Sequence, residues 1–165
     1  MTMNKVMIIG AIGAGKSTLT KALLHKDEQA VKTQALNYEG WIVDTPGEYL
    51  ENPLFYKNIM ATSFEVTHLI YLQDATRQHS NFPPFFGTGI SKLPIGVVTK
   101  VDMQEADVER AVEILRQVIG RAPVVITSAV EKTGLHHIEK LVQCHSMAEM
   151  EQYVAMAEDP NLFLA

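Results

Sequence analysis

Residues 10–17 have the sequence G-A-I-G-A-G-K-S. It matches the phosphate-binding loop pattern G-x-x-x-x-G-K-[ST] at every fixed position. The largely apolar residues 5–9 before it predict a buried strand, and Leu19, Leu23 and Leu24 after it share one face of a helix. The alternative interpretation is a glycine-rich turn that binds nothing. The Lys-Ser pair, with a strand before it and a helix after it, favours the phosphate site.

Each part of the loop has a chemical task at a phosphate. The glycines let successive backbone N–H groups turn toward the ligand, and the helix N-terminus adds partial positive charge. Lys16 is expected to neutralise phosphate charge during catalysis, and the Ser17 hydroxyl is expected to bind Mg²⁺. The residues predicted to bind the phosphates are Gly10, Gly13, Ala14, Gly15, Lys16, Ser17 and Thr18.

The composition is that of an ordinary globular protein, with 47% hydrophobic and 20% charged residues among 165. We expect a nucleotide-binding domain over residues 1–145 and a helical or flexible tail over residues 146–165. The net charge of −5 argues against nucleic acid and anionic lipid as partners. With Cys144 as its single cysteine, the chain has no internal disulfide, and it has no recognisable signal peptide or membrane-spanning run. These features predict a cytoplasmic protein.

Apolar runs alternate with helical patterns along the chain. This order predicts an α/β fold, a three-layer sandwich whose central sheet is mostly parallel, as in P-loop nucleoside triphosphatases. The expected strands are 4–9, 33–38, 41–44, 68–73, 93–99 and 123–127, and the expected helices are 16–25, 102–119, 134–144 and one within 49–64 after Pro53. Ligands of such sheets bind at the carboxyl ends of the strands, so the residues that follow the strands are expected to form one site.

The motif D-T-P-G, residues 44–47, follows the third expected strand. A carboxylate at Asp44 can hold Mg²⁺ through a water molecule, and the Gly47 N–H can contact a terminal phosphate. Alone this tetrapeptide could be an ordinary turn, but its position after a phosphate loop and a helix favours the site. Thr33 either completes the Mg²⁺ shell when a third phosphate is present or is a β-branched strand residue.

The motif T-K-V-D, residues 99–102, follows another strand. The Asp102 carboxylate can accept both N–H donors of the guanine edge, a donor pair that adenine lacks, while the Lys100 stem lies along the base. A capping box with Glu105 is the alternative role for Asp102, and both roles can hold at once. The backbone N–H groups of residues 127–129 are expected to face the base carbonyl. The predicted base contacts are Thr99, Lys100, Asp102, Ser128 and Ala129.

The order of these motifs resembles that of small GTPases of the Ras-like and translation-factor-related class, from residue 4 to about residue 144. More narrowly, K-T-Q-A at residues 32–35 followed by D-T-P-G-E-Y-L-E-N at residues 44–52 resembles the EutP/PduV family. This resemblance implies a nucleotide-binding accessory protein of ethanolamine or propanediol utilisation, associated with bacterial microcompartments. Some members of that family are also assigned acetate kinase activity, which makes acetyl phosphate from ATP and acetate.

Three positions depart from the small-GTPase pattern. Glu48 stands where many such proteins have a glutamine that orients water, and a glutamate there could orient water, act as a base or repel the γ-phosphate. Ile12 is bulky where proteins that accept an arginine from a partner usually have glycine. Gly13 stands where potassium-activated GTPases have asparagine. Together these positions predict slow intrinsic hydrolysis.

Two loop features have alternative interpretations. Arg77 either stabilises charge in cis, binds a small carboxylate, or is solvated together with His79 in an exposed loop, and the solvated interpretation is favoured. Residues 82–86, F-P-P-F-F, either cap the core or form an exposed contact patch. Core capping is favoured because large exposed aromatic patches are uncommon on monomers.

The end of the chain contains two further features. Residues 146–165 have a rough helical spacing of apolar side chains, which fits a docked helix, a frayed end or a partner-binding helix that addresses a microcompartment shell. His136 and His137 lie near Glu139 but without the spacing of a metal site. We expect them to be surface and helix residues.

Three functional hypotheses follow. The first is a guanine-nucleotide switch or slow GTPase with Mg²⁺, in which Lys16, Thr33 and Glu48 act in catalysis and Ser17, Thr33 and Asp44 hold the metal. The second is transfer of the γ-phosphoryl group from ATP to acetate, for which Arg77 is the weak candidate for the acetate pocket. It conflicts with the guanine motif. The third is a non-catalytic assembly factor that binds nucleotide for structure and contacts the shell or the pathway enzymes.

Overall fold

The computed structural model describes residues 4–24 and 37–165, and within these ranges the chain forms seven strands and six α-helices. The strands are β1 Val6–Ile9, β2 Asn37–Glu39, β3 Ile42–Asp44, β4 His68–Asp74, β5 Leu93–Thr99, β6 Pro123–Ile126 and β7 Leu162–Leu164. The helices are α1 Lys16–Leu23, α2 Glu48–Glu51, α3 Tyr56–Ser63, α4 Val108–Ile119, α5 Leu135–Val142 and α6 Met147–Ala157.

The described strands form one sheet in the order β2-β3-β1-β4-β5-β6-β7. The five strands from β3 to β6 in that order are parallel, and the edge strands β2 and β7 are antiparallel to their neighbours. This mostly parallel sheet with helices confirms the predicted α/β class, that of a P-loop nucleoside triphosphatase. Across residues 4–24 and 37–165, every helix is too short or too polar to span a lipid bilayer.

Two hydrophobic clusters, one on each face of the sheet, pack the helices of the outer layers against the strands. Side chains alternate along β1, so Met7 and Ile9 enter the cluster that contains the apolar face of α4, together with Ile59 of α3. Val6 and Ile8 enter the opposite cluster, which is covered by α1, α5 and α6. All four of these β1 side chains are fully buried. The phosphate-loop residues therefore follow the most enclosed strand of the sheet.

The fourth helix begins later than the sequence predicts. We expected a helix over 102–119 with a capping box at Asp102, but α4 starts at Val108 and its N-cap is Asp107, whose side chain accepts a hydrogen bond from the Arg110 N–H at 3.0 Å. The expected start is wrong because the chain after Lys100 turns instead, with Lys100 at a φ of 62°. The Asp102 carboxylate is consequently not used as a helix cap.

The segment after D-T-P-G forms more and shorter helical elements than expected. It contains α2, a 3₁₀ turn over Pro53–Phe55 and α3, instead of one helix after Pro53. The Asn52 side chain accepts a hydrogen bond from the Leu54 N–H at 3.1 Å and so starts the 3₁₀ turn. Of the expected strand over 33–38, the part before residue 37 lies outside the described residues.

The aromatic loop mostly closes the core. Phe82 is buried against Tyr71, with 5.8 Å between ring centroids, and Phe86 packs on Phe82 at 6.0 Å and on Tyr56 at 5.4 Å. Phe85, which is 71% exposed, stands outside this arrangement. The core-capping interpretation therefore describes two of the three phenylalanines.

The last twenty residues pack on the sheet. Helix α6 starts at a Ser146 cap and buries Met150, and β7 pairs with β6. His136 is exposed as expected, but His137 is buried, with Nδ1 2.8 Å from the Tyr153 hydroxyl and Nε2 2.7 Å from Asp159 Oδ2. The expectation that His137 lies on the surface is wrong because its ring joins α5 to the end of α6. A domain boundary after residue 145 stays a prediction.

Candidate functional site

The loop after β1 has the backbone geometry of an anion cradle. Gly13 and Gly15 have φ values of 79° and 102°, a region that side chains disfavour and glycine occupies at little cost. Helix α1 begins at Lys16, directly after Gly15, so its N-terminus faces the cradle. The buried Lys16 ammonium donates a hydrogen bond to the Ala11 carbonyl at 3.0 Å and therefore lies over the first half of the loop. Of the other predicted phosphate contacts, Gly10 and Ala14 are buried and Thr18 is exposed.

A hydroxyl and a carboxylate meet beside the loop. The Ser17 Oγ donates to Asp44 Oδ2 at 3.0 Å, and Asp44 is 2% exposed. The two come together because β3 pairs with β1 and places Asp44 opposite Ile8. Oxygen ligands of this kind suit Mg²⁺, so the residues fit the metal expected from the sequence. Thr33, the third predicted ligand, lies outside the described residues.

Gly47 of the D-T-P-G motif packs directly on the phosphate loop. A Cβ atom at Gly47 would lie 2.7 Å from the Cα, N and Cγ1 atoms of Ile12, which leaves no space for any side chain. The motif therefore touches the outer part of the loop, where a contact with a terminal phosphate is expected. Glu48, the predicted catalytic residue after it, is exposed at the start of α2.

The T-K-V-D motif reaches both the phosphate loop and the residues after β6. The Lys100 ammonium donates to the Gly13 carbonyl at 2.7 Å, and the Thr99 hydroxyl donates to the Ala14 carbonyl at 2.8 Å. The Ser128 hydroxyl donates to Asp102 Oδ1 at 2.8 Å. The predicted base contacts Thr99, Lys100, Asp102, Ser128 and Ala129 thus lie at the carboxyl ends of β5 and β6, next to the loop.

Sequence reasoning missed Asp74, which ends β4 and is 2% exposed. Its Oδ1 accepts hydrogen bonds from the Thr76 N–H at 2.8 Å and the Thr76 hydroxyl at 2.6 Å, and its Oδ2 lies 2.9 Å from the Lys100 ammonium. Burial alone would raise the pKa of Asp74, but the Thr76 and Lys100 hydrogen bonds and the Lys100 charge hold it below its ordinary value. Asp74 is therefore a fixed anion. Its position at a strand end, in D-A-T-R, was the available signal.

Two further side chains hold the peptide groups of Ile12. Glu51 Oε1 accepts a hydrogen bond from the Ile12 N–H at 3.2 Å and another from Asn81 Nδ2 at 2.9 Å. On the other side, Arg77 Nη2 donates to the Ile12 carbonyl at 2.5 Å. The structure thus places Arg77 on the loop with its side chain 39% exposed, whereas the sequence favoured a solvated side chain. Asn81 carried no recognisable sequence signal, whereas Glu51 belongs to the segment 44–52 that carried the family resemblance but was given no role there.

A second group of ligand atoms lies at the end of the chain. Among the described residues, His136, His137 and Asp159 bring one ligand atom each within 4.8 Å of one another. Both ring nitrogens of His137 already have close partners, Tyr153 and Asp159. The group joins α5 to the residues after α6 and takes no part in the contacts around the phosphate loop.

The sequence is similar to one known protein family and to named proteins from other bacteria. The sequence model of the PduV-EutP family, described as "Ethanolamine utilisation - propanediol utilisation", matches residues 3–144. A Salmonella typhimurium protein (strain LT2) named "Probable acetate kinase EutP" is 36% identical over 124 residues, which cover 74% of this chain and 78% of that protein. A protein of the same name from Escherichia coli K12 is 37% identical over 68% of this chain and 72% of its own length.

A relative with a different name extends the comparison. The "Propanediol utilization protein PduV" of Citrobacter freundii is 34% identical over 133 residues, 81% of this chain and 89% of that protein. The two kinds of relative therefore have the two names that the resemblance in residues 32–35 and 44–52 predicted. The family prediction is confirmed.

Proposed function

This chain belongs to the PduV-EutP family of ethanolamine and propanediol utilisation, and we propose that it is a Mg²⁺-dependent nucleotide-binding protein that binds GTP and hydrolyses it slowly. It would act in the cytoplasm as an accessory to one of these pathways. Its partners beyond nucleotide would be microcompartment shell proteins or pathway enzymes.

One observation carries the proposal: the residues expected to bind a base adjoin those expected to bind phosphate. Lys100 donates to the loop carbonyl of Gly13, while Asp102, two residues later, is held by Ser128. A base with two N–H donors on one edge fits the Asp102 carboxylate, and guanine has this pair. Such a site favours guanine over adenine, because adenine does not offer this pair of N–H donors to the Asp102 carboxylate.

Hydrolysis follows from the same arrangement. A water oxygen attacks the γ-phosphorus as the bond from that phosphorus to the β–γ bridging oxygen breaks, and this oxygen keeps the electron pair as part of GDP. The proton of the attacking water leaves with the phosphate product. Lys16 neutralises charge on the phosphates, the Gly47 N–H contacts the γ-phosphate, and Glu48 orients the water. The negative charge of Glu48 near an anionic phosphate keeps the reaction slow.

The metal site uses the oxygen ligands already described. Ser17 would bind Mg²⁺ directly, Asp44 would hold it through water, and Thr33 would complete the shell. When bound, Mg²⁺ would neutralise charge on the β- and γ-phosphates. The Ser17 to Asp44 hydrogen bond already holds these two oxygens together.

Phosphoryl transfer from ATP to acetate is the second candidate, because the relatives from Salmonella typhimurium and Escherichia coli are named probable acetate kinases. It needs a cation near the loop that can also hold a carboxylate, and Arg77 is positioned on the Ile12 carbonyl. The guanine-type arrangement around Asp102 counts against ATP as the donor. A non-catalytic assembly factor, which binds nucleotide tightly and does not turn it over, is the third candidate.

The deciding experiment is a calorimetric titration of nucleotide-free protein with GDP, GTP, ADP and ATP in the presence of Mg²⁺, for wild type and Asp102→Asn. The proposal expects guanine nucleotides to bind at least about tenfold tighter, about 1.4 kcal/mol, and the variant to lose this preference. Equal or tighter binding of adenine nucleotides contradicts it. An assay of acetyl phosphate formation from ATP and acetate then becomes decisive.

A further inference from the structure

We propose that Arg77 is a catalytic residue of this site, a guanidinium in cis that contacts the γ-phosphoryl group during its transfer. The inference rests on the nucleotide hydrolysis proposed above. It concerns a residue that follows β4 and belongs to neither the phosphate loop, the D-T-P-G motif nor the T-K-V-D motif.

The position of the guanidinium is the first argument. Lys16 Nζ donates to the Ala11 carbonyl at 3.0 Å, and Arg77 Nη2 donates to the next carbonyl, that of Ile12, at 2.5 Å. The lysine of a phosphate loop serves the β- and γ-phosphates. Two cations on successive peptide groups of the loop therefore converge on the place that the outer phosphates would occupy.

Gly13 provides the second argument, because it lets the guanidinium approach. A Cβ atom at Gly13 would lie 3.0 Å from Arg77 Nη2, tighter than an ordinary contact. Gly13 also has a φ of 79°, so the loop conformation and the arginine contact both favour glycine.

The third argument is that Arg77 is held in place but still has donors to offer. Asp74 Oδ2 lies 3.7 Å from Arg77 Nε and holds the Nε side of the guanidinium. Arg77 Nη1 has no hydrogen-bond or ion-pair partner among residues 4–24 and 37–165, and the side chain is 39% exposed. An arginine fork with one fixed side and one open side suits bidentate binding of an anionic oxygen pair.

The chemistry of the site favours such a cation. Negative charge grows on the β–γ bridging oxygen as its bond to phosphorus breaks, and a guanidinium stabilises this charge more in the transition state than in the bound substrate. The bulky Ile12 side chain is expected to obstruct an arginine from a partner, and Glu48 adds negative charge instead of an amide. The other arginines are engaged elsewhere, Arg110 with Asp107, Arg116 with Glu113 and Arg121 with Glu151.

The test compares Arg77→Ala and Arg77→Lys with wild type and with the control Arg121→Ala, which removes an exposed arginine that pairs with Glu151. Single-turnover GTP hydrolysis is followed for hours, so that slow rates are measured. The affinity for GDP is measured alone and with aluminium fluoride, which mimics the phosphoryl group in transfer. Melting temperatures check that every variant is folded.

For Arg77→Ala, we expect hydrolysis about 100-fold slower or more, with GDP affinity within about threefold of wild type. The gain in affinity from aluminium fluoride should disappear as well. Arg77→Lys should fall between, because it keeps the charge and loses the fork. Arg121→Ala should match wild type in every measurement.

Three results overturn the inference. One is a wild-type rate for Arg77→Ala, and another is a loss of GDP affinity as large as the loss of rate, which indicates a structural role. The third is unchanged hydrolysis together with a raised acetate KM in the ATP and acetate assay, which assigns Arg77 to the acceptor carboxylate instead. Failure of the proposed function is distinguishable, because it shows in the wild type itself, which would then fail to bind GTP or fail to hydrolyse it.

Discussion

The Ser128 hydroxyl donates to Asp102 Oδ1 at 2.8 Å, so the turn after β6 fixes the carboxylate that follows β5. Ser128 itself is fully buried, and its oxygen also accepts the Glu131 N–H at 3.1 Å. The carboxylate therefore has a defined orientation before any base arrives. Preorganisation of this kind favours selectivity, because little ordering remains to be done on binding.

Asp102→Asn should change the preferred purine from guanine to xanthine. An asparagine amide offers an N–H donor where the carboxylate offered only acceptors, and xanthine has a carbonyl at the position of the guanine amino group. We expect the affinity for GDP to fall and that for XDP to rise, with a reversal of preference of about tenfold or more. Calorimetry with both nucleotides measures it. An Asn variant that still prefers GDP would show that Asp102 does not read the base.

Removal of the Ser17 hydroxyl should eliminate most of the effect of Mg²⁺ on nucleotide binding. Wild type is expected to bind GDP at least about tenfold more tightly in Mg²⁺ than in EDTA, and Ser17→Ala is expected to lose most of this difference. The exposed Ser91, changed to Ala, is the matched control. Equal Mg²⁺ dependence in Ser17→Ala and Ser91→Ala contradicts the assignment of the metal ligand.

Gly47→Ala should destabilise the protein because its methyl group would collide with the Ile12 backbone. Overpacking against atoms that cannot move aside costs about 1–3 kcal/mol of the free energy of unfolding. Gly89→Ala is the control, since a Cβ there meets nothing within 4 Å. Urea unfolding should show a change below about 0.5 kcal/mol for this control. If both variants unfold alike, D-T-P-G is not packed on the loop.

Acid should weaken the fold through His68, which is fully buried at the start of β4. Burial lowers the pKa of His68 to about 4 from an ordinary value of 6.5, although the Leu141 and Cys144 carbonyls act in the opposite direction. Between these two values the unfolded chain binds more protons, so the free energy of unfolding falls as the pH drops from 6.5 toward 4. The loss from this group is about 3 kcal/mol.

Urea unfolding of His68→Gln at several pH values measures this contribution. The variant should lose the His68 part of the slope between pH 6.5 and pH 4, whatever its stability at neutral pH. His79→Gln, at an exposed loop residue, should keep the wild-type slope. A His68→Gln slope identical to that of wild type excludes His68 as the acid-sensitive group.

Local signals were sufficient for much of the fold. Residues 10–17 contain their own turn chemistry, and the apolar runs of β1, β4 and β5 are long enough to predict strands directly. The rule that ligands bind at strand carboxyl ends then brought Asp44, Lys100 and Ser128 to one place, as the structure has them. These features need only neighbours in sequence or a general rule of topology.

The missed features depend on partners far along the chain. Glu105, three residues after Asp102, suggested helix capping as an alternative role for Asp102, but the helix is capped by Asp107 and the Asp102 carboxylate accepts from Ser128. The ion-pair partner of Asp74 is Lys100, which lies 26 residues later in the sequence. Strand β7 likewise pairs with β6, which is distant from it along the chain. A single sequence contains no direct record of such pairings, since their energy arises only after the chain has folded.

The pairing of β7 with β6 has a practical consequence for anyone who shortens this protein. A chain ended after residue 145 would retain every motif of the nucleotide site, yet β6 would become an edge strand with the unpaired N–H and C=O groups that invite other molecules. Phe163 and Leu162 now sit opposite Val124 and Val125, so the uncovered strand would be apolar as well. Such a fragment would be prone to aggregate during purification, and its inactivity would say nothing about the chemistry of the phosphate loop.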